Sequence, residues 1–410
     1  MSDTFYGDTM KKSILSLMSL ALIASAETSG YTNYSSSFDQ SAFVPDIALI
    51  VDGTYVNRSI RDDEMEGYTL AGSALPDYNE FNANSGFNLN YAELSLHSDV
   101  DQIFMLDGVF HFDVEGVEIE EAYFTSTALP WYFQLKGGKF KSSFGRLNKQ
   151  HQHVWDFADA PLVYNAFLTP EGLNHPGIQL QWLAPTPWYM MAGVELMQSG
   201  EEGSFVNESF TDNTTNKEIT AANEPALYIA YLKNSFDIST ATVLFGLSAA
   251  QGTTKISDDP TEGIAGQDGK TTIYGADLLV KNYFDSYSYI SWQSELLNRD
   301  ARIDNTTTLG SDDYIQSGAY SQLVYAYDQN WRAGLRFDTI FHDTNEVDSY
   351  KMRNRYTLMA EYNPSEFSRI RAQYAHNSAF TNTTTGQQED IDTFILEINL
   401  AIGSHGAHSF

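Results

Sequence analysis

Trp131-Tyr132-Phe133-Gln134-Leu135-Lys136 is the stretch whose reading decides the fold. Trp131, Phe133 and Leu135 alternate with Tyr132, Gln134 and Lys136, the period-2 signature of a strand with one apolar and one polar face. A second such strand comes only after a long interval, with Ile178, Leu180 and Trp182 alternating with Gly177, Gln179 and Gln181. Between them, residues 142–176 hold Arg146, Lys149, His151, His153, Trp155, Asp156, Asp159, Glu171 and His175. A segment this long and this rich in polar and aromatic groups is more than a connector. If the strands are barrel staves and the loop folds into the lumen, the stretch reads as a channel with a constriction.

Outward from there the chain repeats one unit: an alternating segment of about 10 residues, a short turn, another such segment, then a longer polar loop. The pattern predicts strands at 45–57, 86–98, 102–114, 116–126, 131–141, 176–184, 187–197, 224–234, 236–249, 271–282, 284–296, 314–327, 329–341, 352–363, 366–378 and 391–403. The number is even, as closure with both termini on one side requires. Short turns, such as Asn234-Ser235 and Asp328-Gln329, alternate with long connections such as 58–85 and 198–223. That alternation describes an all-β, closed antiparallel transmembrane barrel of about sixteen strands with an inward-folded third loop. The apolar sets, among them Phe110, Phe112 and Val114, then Trp331, Ala333, Leu335 and Phe337, then Tyr356, Leu358, Ala360 and Tyr362, read as lipid-facing. Their polar alternates imply a water-filled lumen, and the many aromatic residues suit interfacial girdles.

Acidic residues outnumber basic ones by 54 to 23, which argues against nucleic-acid binding through a basic face. There is no cysteine, so disulfides and thiolate metal sites are excluded. Lys11 and Lys12, the apolar run 14–23 and Ala24-Ser25-Ala26 read as a secretory signal peptide over residues 1–26, with Met10 as the expected true start. A short segment, 27–44, then leads into a barrel over 45–410 that ends on Phe410. No stretch is apolar for the ~20 residues a membrane helix needs.

The string Gly138-Lys139-Phe140-Lys141-Ser142-Ser143-Phe144-Gly145-Arg146 resembles the strand-into-loop segment of the phosphate-selective porin family. His151-Gln152-His153, Asp159-Ala160-Pro161-Leu162-Val163 and Glu171-Gly172-Leu173 look like a subgroup labelled zinc-regulated TonB-dependent outer-membrane receptors, here without a plug domain. The match is best over 107–198 and elsewhere rests on the barrel pattern. The resemblance implies a sixteen-strand diffusion channel, trimeric or monomeric, whose third loop narrows the pore.

Gly137-Gly138 suggests a β-bulge that would turn Lys139 and Lys141 to the lumen beside Gln134 and Lys136; the alternative is plain exposure of these lysines above the membrane. By alternation Arg332, Arg336, Arg353, Arg355, Arg369 and Arg371 fall opposite the apolar faces of neighbouring strands. Arginine facing lipid at mid-membrane costs ~2–4 kcal/mol, so these six are expected to form a basic wall. Glu93, Asp107, Asp113, Glu118 and Glu120, with His97 and His111 among them, supply the opposite sign. Charge rings of this kind select ions. Arg146, Lys149, Asp156, Asp159 and Glu171 are the charged members of the constriction loop. His151, His153 and His175 carry metal-ligand chemistry, but His-x-His matches no strict ligand pattern, and no metal or cofactor is expected. No Gly-x-Ser-x-Gly occurs, and no nucleophile and base can be placed on one face, so no enzymatic activity is expected.

The expectation is a porin in the outer membrane of a Gram-negative bacterium, a passive channel for small hydrophilic solutes or ions. Its partners would be outer-membrane lipid and lipopolysaccharide, the barrel assembly machinery and, in a homotrimer, copies of itself. The alternative is a substrate-binding receptor, possibly metal-related, or an adhesin that uses the long loops.

Overall fold

A computed structural model describes residues 45–65, 67–70, 81–113, 116–169, 171–200, 202–258, 265–344, 353–382 and 385–403. The signal peptide at 1–26, the segment 27–44, Val114 and Phe410 lie outside them. The alternating segments form sixteen long antiparallel strands: β1 (Asp46–Arg58), β2 (Gly86–Asp99), β3 (Phe104–Phe112), β4 (Val117–Ser126), β5 (Phe133–Lys141), β6 (Asn174–Leu183), β7 (Tyr189–Met197), β8 (Leu227–Ile238), β9 (Ala241–Ile256), β10 (Gln267–Tyr283), β11 (Tyr289–Asn305), β12 (Tyr314–Ala326), β13 (Trp331–Asp343), β14 (Arg353–Ser365), β15 (Ser368–Asn382) and β16 (Gln388–Gly403). Each pairs with its neighbours in sequence, and β1 pairs with β16 from Ala48↔Gly403 to Arg58↔Thr393. The sheet therefore closes, and each stave has a hydrogen-bonded neighbour on both sides. Among the described residues, no helix is long and apolar enough to cross a membrane.

One register row shows how the two faces are used. Tyr374, Leu358, Leu335, Leu323 and Trp292 lie side by side across β15 to β11 and are all exposed. The adjacent row on the opposite face, Thr357, Arg336, Gln322 and Gln293, is buried. A belt of apolar side chains faces outward while charged and amide groups turn inward, the inverse of a soluble barrel. Trp131 and Tyr132 protrude at the turn before β5, as girdle residues do.

The structure differs from the sequence reading in several places. Trp131 and Tyr132 have φ of 59° and 64° and belong to a turn over Pro130–Tyr132, so the strand starts at Phe133. The turn expected at Asn234-Ser235 comes later, because Phe236 and Ile238 continue the alternation and the chain reverses at Ser239, φ 59°. The Gly137-Gly138 bulge does not form: register runs unbroken from Thr125↔Lys136 to Ala122↔Lys139 and from Phe133↔Trp182 to Lys141↔Asn174. Glycine is needed at 138 because φ is 135° and a Cβ would lie 2.2 Å from the Ala122 carbonyl oxygen.

The interior is not uniformly polar either. Phe140, Phe144, Leu162, Val163, Phe167 and Leu168 pack with Ile229, Ile273, Leu297 and Ile340 of the staves in one buried apolar cluster. Among the outer connections, Asp212 accepts hydrogen bonds from the Thr215 backbone at 2.6 Å and from the Thr307 and Thr306 hydroxyls at 2.6 and 3.0 Å. Burial works to raise its pKa, but these bonds, Thr307's first, outweigh it and hold the carboxyl well below the usual range.

Candidate functional site

A long irregular segment packed among other groups must find a partner for every backbone N–H and C=O. Across 142–169 and 171–173 some groups bond within the segment, as the Val154 N–H does to the His151 carbonyl and the Leu168 N–H to that of Tyr164, and others bond to the staves, on the face opposite the apolar belt. Wall carboxylates and amides accept the segment's N–H groups. Glu195 on β7 receives the Ser142 hydroxyl at 2.5 Å and the Ser143 N–H at 3.0 Å. Glu295 on β11 receives the Arg146 and Leu147 N–H groups, both at 2.9 Å, and the Tyr164 and Tyr320 hydroxyls at 2.9 and 2.6 Å. Gln373 takes the Ala158 N–H at 2.9 Å, and Asp338 the Leu162 N–H at 3.1 Å.

Gly145 permits the approach to Glu295. Its φ is +59°, and a Cβ there would come within 2.4 Å of the Glu295 carboxylate and 2.6 Å of the Tyr164 hydroxyl.

Wall arginines do the converse and donate to the segment's carbonyls. Arg369 and Arg371 each reach a carbonyl at 2.6 Å, those of His153 and Trp155 respectively. Arg336 bonds the Asp159 carbonyl at 2.8 Å, and Arg355 that of Ala160 at 2.6 Å. The same guanidiniums are neutralised by carboxylates. Asp159 bridges Arg336 at 2.7 Å and Arg355 at 2.9 Å, while Asp338 meets the same two from the wall at 3.0 and 3.2 Å. Arg332 pairs with Asp156 and, at 3.0 Å, with Glu361; Arg371 pairs with Glu361 and Glu397; Arg369 pairs with Glu397. Arg353 is buried near the outer end of β14. Arg332, Arg336, Arg355, Arg369 and Arg371, expected to face a water passage, are thus in direct contact with acidic partners, and a guanidinium paired in this way contributes little net charge to a passing ion.

The cations without such partners are others. Among the described residues, Lys136, Arg146 and Lys149 have no carboxylate at ion-pair distance. Lys136 lies 4.1 Å from the Tyr123 ring centroid, Arg146 bonds Gln293 at 3.2 Å, and Lys149 is exposed. Lys139 pairs with Glu118 at 2.9 Å, and Lys141 is buried against Glu120 at 2.8 Å. The acidic set also divides. Asp107 meets His97 at 2.7 Å, Asp113 accepts the Gly116 N–H at 2.8 Å just beyond β3, and Glu171 offers its carbonyl to Lys141 at 3.4 Å.

Glu93 and Glu120 do something alternation alone does not show. With Glu121 on the wall they surround three imidazoles, His111 from β3 and His151 and His153 from the loop. A bulge pairs Val109 with Glu121 and Phe110 with Ile119, leaving Glu120 as the extra residue, so that two consecutive glutamates face the cluster. His175 is elsewhere, against Gly200. Sequence reasoning missed Glu195, Glu295, Asp338, Glu361 and Glu397 as partners. Their signal was a carboxylate in mid-strand on the non-lipid face.

This is the fold of outer-membrane porins. The outer membrane channel DcaP of Acinetobacter baumannii matches with a TM-score of 0.55 over 92% of this chain and 100% of its own, at 10% identity. The anion-selective porin of Comamonas acidovorans matches with a TM-score of 0.53 over 88% and 100%, at 10% identity. In-vitro folded OmpT of Vibrio cholerae matches with a TM-score of 0.51 over 88% and 98%, at 12% identity. No family profile matches the chain. An uncharacterized protein of Aquifex aeolicus (strain VF5) is 40% identical over 388 residues, 92% of this chain and 82% of that protein, and the chain belongs to its family.

Proposed function

We propose that the protein is a porin of a Gram-negative outer membrane, a passive channel for small hydrophilic solutes in which residues 142–173 cross the lumen and set the constriction. The carrying observation is that the loop bonds to staves distant from one another around the barrel, Glu195 on β7, Glu295 on β11, Asp338 on β13 and Arg371 on β15, always on the face opposite the apolar belt. A loop so held divides the lumen. Its apolar cluster fills part of the cross-section, and the remaining passage is narrow.

Lys136, Arg146 and Lys149 set the local sign of that passage. The chain carries a formal net charge of -31, but charges on outer surfaces are screened beyond ~8 Å at physiological salt. Local cations in a narrow aqueous path act on every ion that passes, and they favour small anionic solutes over cations of the same size. A receptor coupled to an energy-transducing partner would use a wider barrel of ~22 strands holding a separate plug, whereas this barrel's own loop occupies its lumen. The test is to incorporate the purified protein into planar bilayers and measure conductance and reversal potential in a salt gradient. Discrete ohmic steps with an anion-directed reversal potential are expected, and the absence of any conductance in correctly folded protein would refute the reading.

A further inference from the structure

We propose that Glu93, His111, Glu120 and His151 bind one divalent transition-metal cation of the zinc type, which pins the loop to the β2–β4 wall. Glu93 Oε2, His111 Nε2, Glu120 Oε2 and His151 Nδ1 all lie within 4.8 Å of one another, and all four residues are buried. Zinc bonds of ~2.0–2.1 Å in a tetrahedron set ligand atoms ~3.3 Å apart. His111 Nε2 is 3.3 Å from Glu93 Oε2, and His151 Nδ1 is 3.2 Å from Glu120 Oε2 and 3.5 Å from Glu93 Oε2. Three of the six donor–donor separations are therefore already close to the edge length of a coordination tetrahedron, and none of the six exceeds 4.8 Å. A further separation, His111 Nε2 to Glu120 Oε2, is 2.5 Å, a hydrogen-bond length that opens when a cation replaces the shared proton. His153 Nδ1, 3.2 Å from Glu93 Oε2, is the adjacent donor for a fifth position.

Charge points the same way. Glu93, Glu120 and Glu121 bring three carboxylates into the enclosure, and Lys141 is the lysine or arginine in ion-pair contact with them among the described residues. Two negative charges remain, and burying unbalanced charge is costly. One divalent cation with neutral imidazoles closes the balance, as would two imidazolium ions. The surroundings of His151 also resemble a metal centre's outer shell, where a carboxylate, carbonyl or water holds the distal nitrogen of a ligating histidine. His151 Nε2 lies 2.9 Å from Glu121 Oε2, which leaves Nδ1 for the ion. Lys141 holds the other oxygen of Glu120 at 2.8 Å, and the His111 ring is stacked on Tyr91 with centroids 4.9 Å apart. Two imidazoles and two carboxylates without thiolate suit zinc and its neighbours over calcium or magnesium.

The ion would complete the attachment of the loop. The arginines of β13–β15 hold 153–160 from one side, and the metal would hold His151 from the other. The test uses the full-length barrel folded in detergent, stripped of metal and titrated with Co²⁺, whose tetrahedral complexes absorb in the visible. One Co²⁺ per barrel, displaced by Zn²⁺, is expected. H111Q and H151Q should each weaken binding by at least about tenfold, E121Q should weaken it without removing a ligand, and H175Q should leave it unchanged. Heat-modifiable migration on gels confirms that each variant is folded. A folded parent barrel that takes up no Co²⁺ or Zn²⁺ would overturn the proposal in favour of imidazolium–carboxylate pairs, as would an H111Q/H151Q double variant with undiminished stoichiometry. Metal content is read independently of conductance, so the porin reading and this site can fail separately.

Discussion

Replacing Asp159 with Ala should release the middle of the loop while leaving the barrel intact. Its carboxylate is shared by Arg336 and Arg355, whose side chains are 1% and 6% exposed. Without it the two guanidiniums have Asp338 alone between them. Removing one partner of a buried ion pair costs ~3–5 kcal/mol. At 1.36 kcal/mol per tenfold, that shifts the ratio of docked to undocked loop by about 10²-fold to nearly 10⁴-fold, because the strand ladder does not depend on Asp159 and the cost falls on local opening. Phe157 is buried in the docked loop, so chymotryptic cleavage after it reads the open population when opening is fast. Cleavage of D159A in folded protein should be about 10²-fold faster than in the parent. D300A, which breaks the exposed Arg302–Asp300 contact at 3.4 Å, should leave the rate near the parent's, as surface pairs contribute little. Equal cleavage of D159A and parent would refute the account of how the loop is held.

Leu358→Arg places a charge in the outward row beside Leu335 and should destabilise the barrel by ~2–4 kcal/mol in lipid vesicles; a urea unfolding midpoint equal to the parent's would mean that this row does not face lipid. Lys136→Glu with Lys149→Glu should move reversal potentials toward cation selectivity, more strongly at low salt, where screening lengthens to ~30 Å at 0.01 M; no change would remove these lysines from the ion path. Gly145→Ala should unseat the first limb of the loop from Glu295, seen as new protease cuts near residues 144–148, and an unaltered digestion pattern would contradict the close approach described above.

The barrel was legible because lipid on one side and polar groups on the other impose period 2 wherever a stave crosses the membrane, as at Trp331-Arg332-Ala333. The same physics explains where the reading stopped short. β9, β10 and β11 run on to Ile256, back to Gln267 and on to Asn305. Near these outer ends polar Lys255, Asp268, Lys270 and Arg302 share the outward face while Ile256 and Ile303 are buried on the other, so the apolar-out alternation of the membrane belt is lost. In the candidate site, the inward direction of Arg336, Arg355 and Arg371 could be read from their strands. Their neutralisation could not, since Asp159 stands 177 and 196 residues from its arginine partners and Glu361 and Glu397 look like any other mid-strand acid. His111 was visible as one member of a charge ring. Its meeting with His151 depends on where the loop docks, and Glu120's place beside Glu121 on a bulge that no glycine marks.

The most direct test of the central claim compares single-channel conductance of the parent with that of a variant lacking residues 150–168, both purified as folded, heat-modifiable barrels and measured in the same planar bilayers. Small steps are expected for the parent and clearly larger ones for the deletion, because the segment proposed to divide the lumen is gone. Identical conductance in the two would contradict the claim.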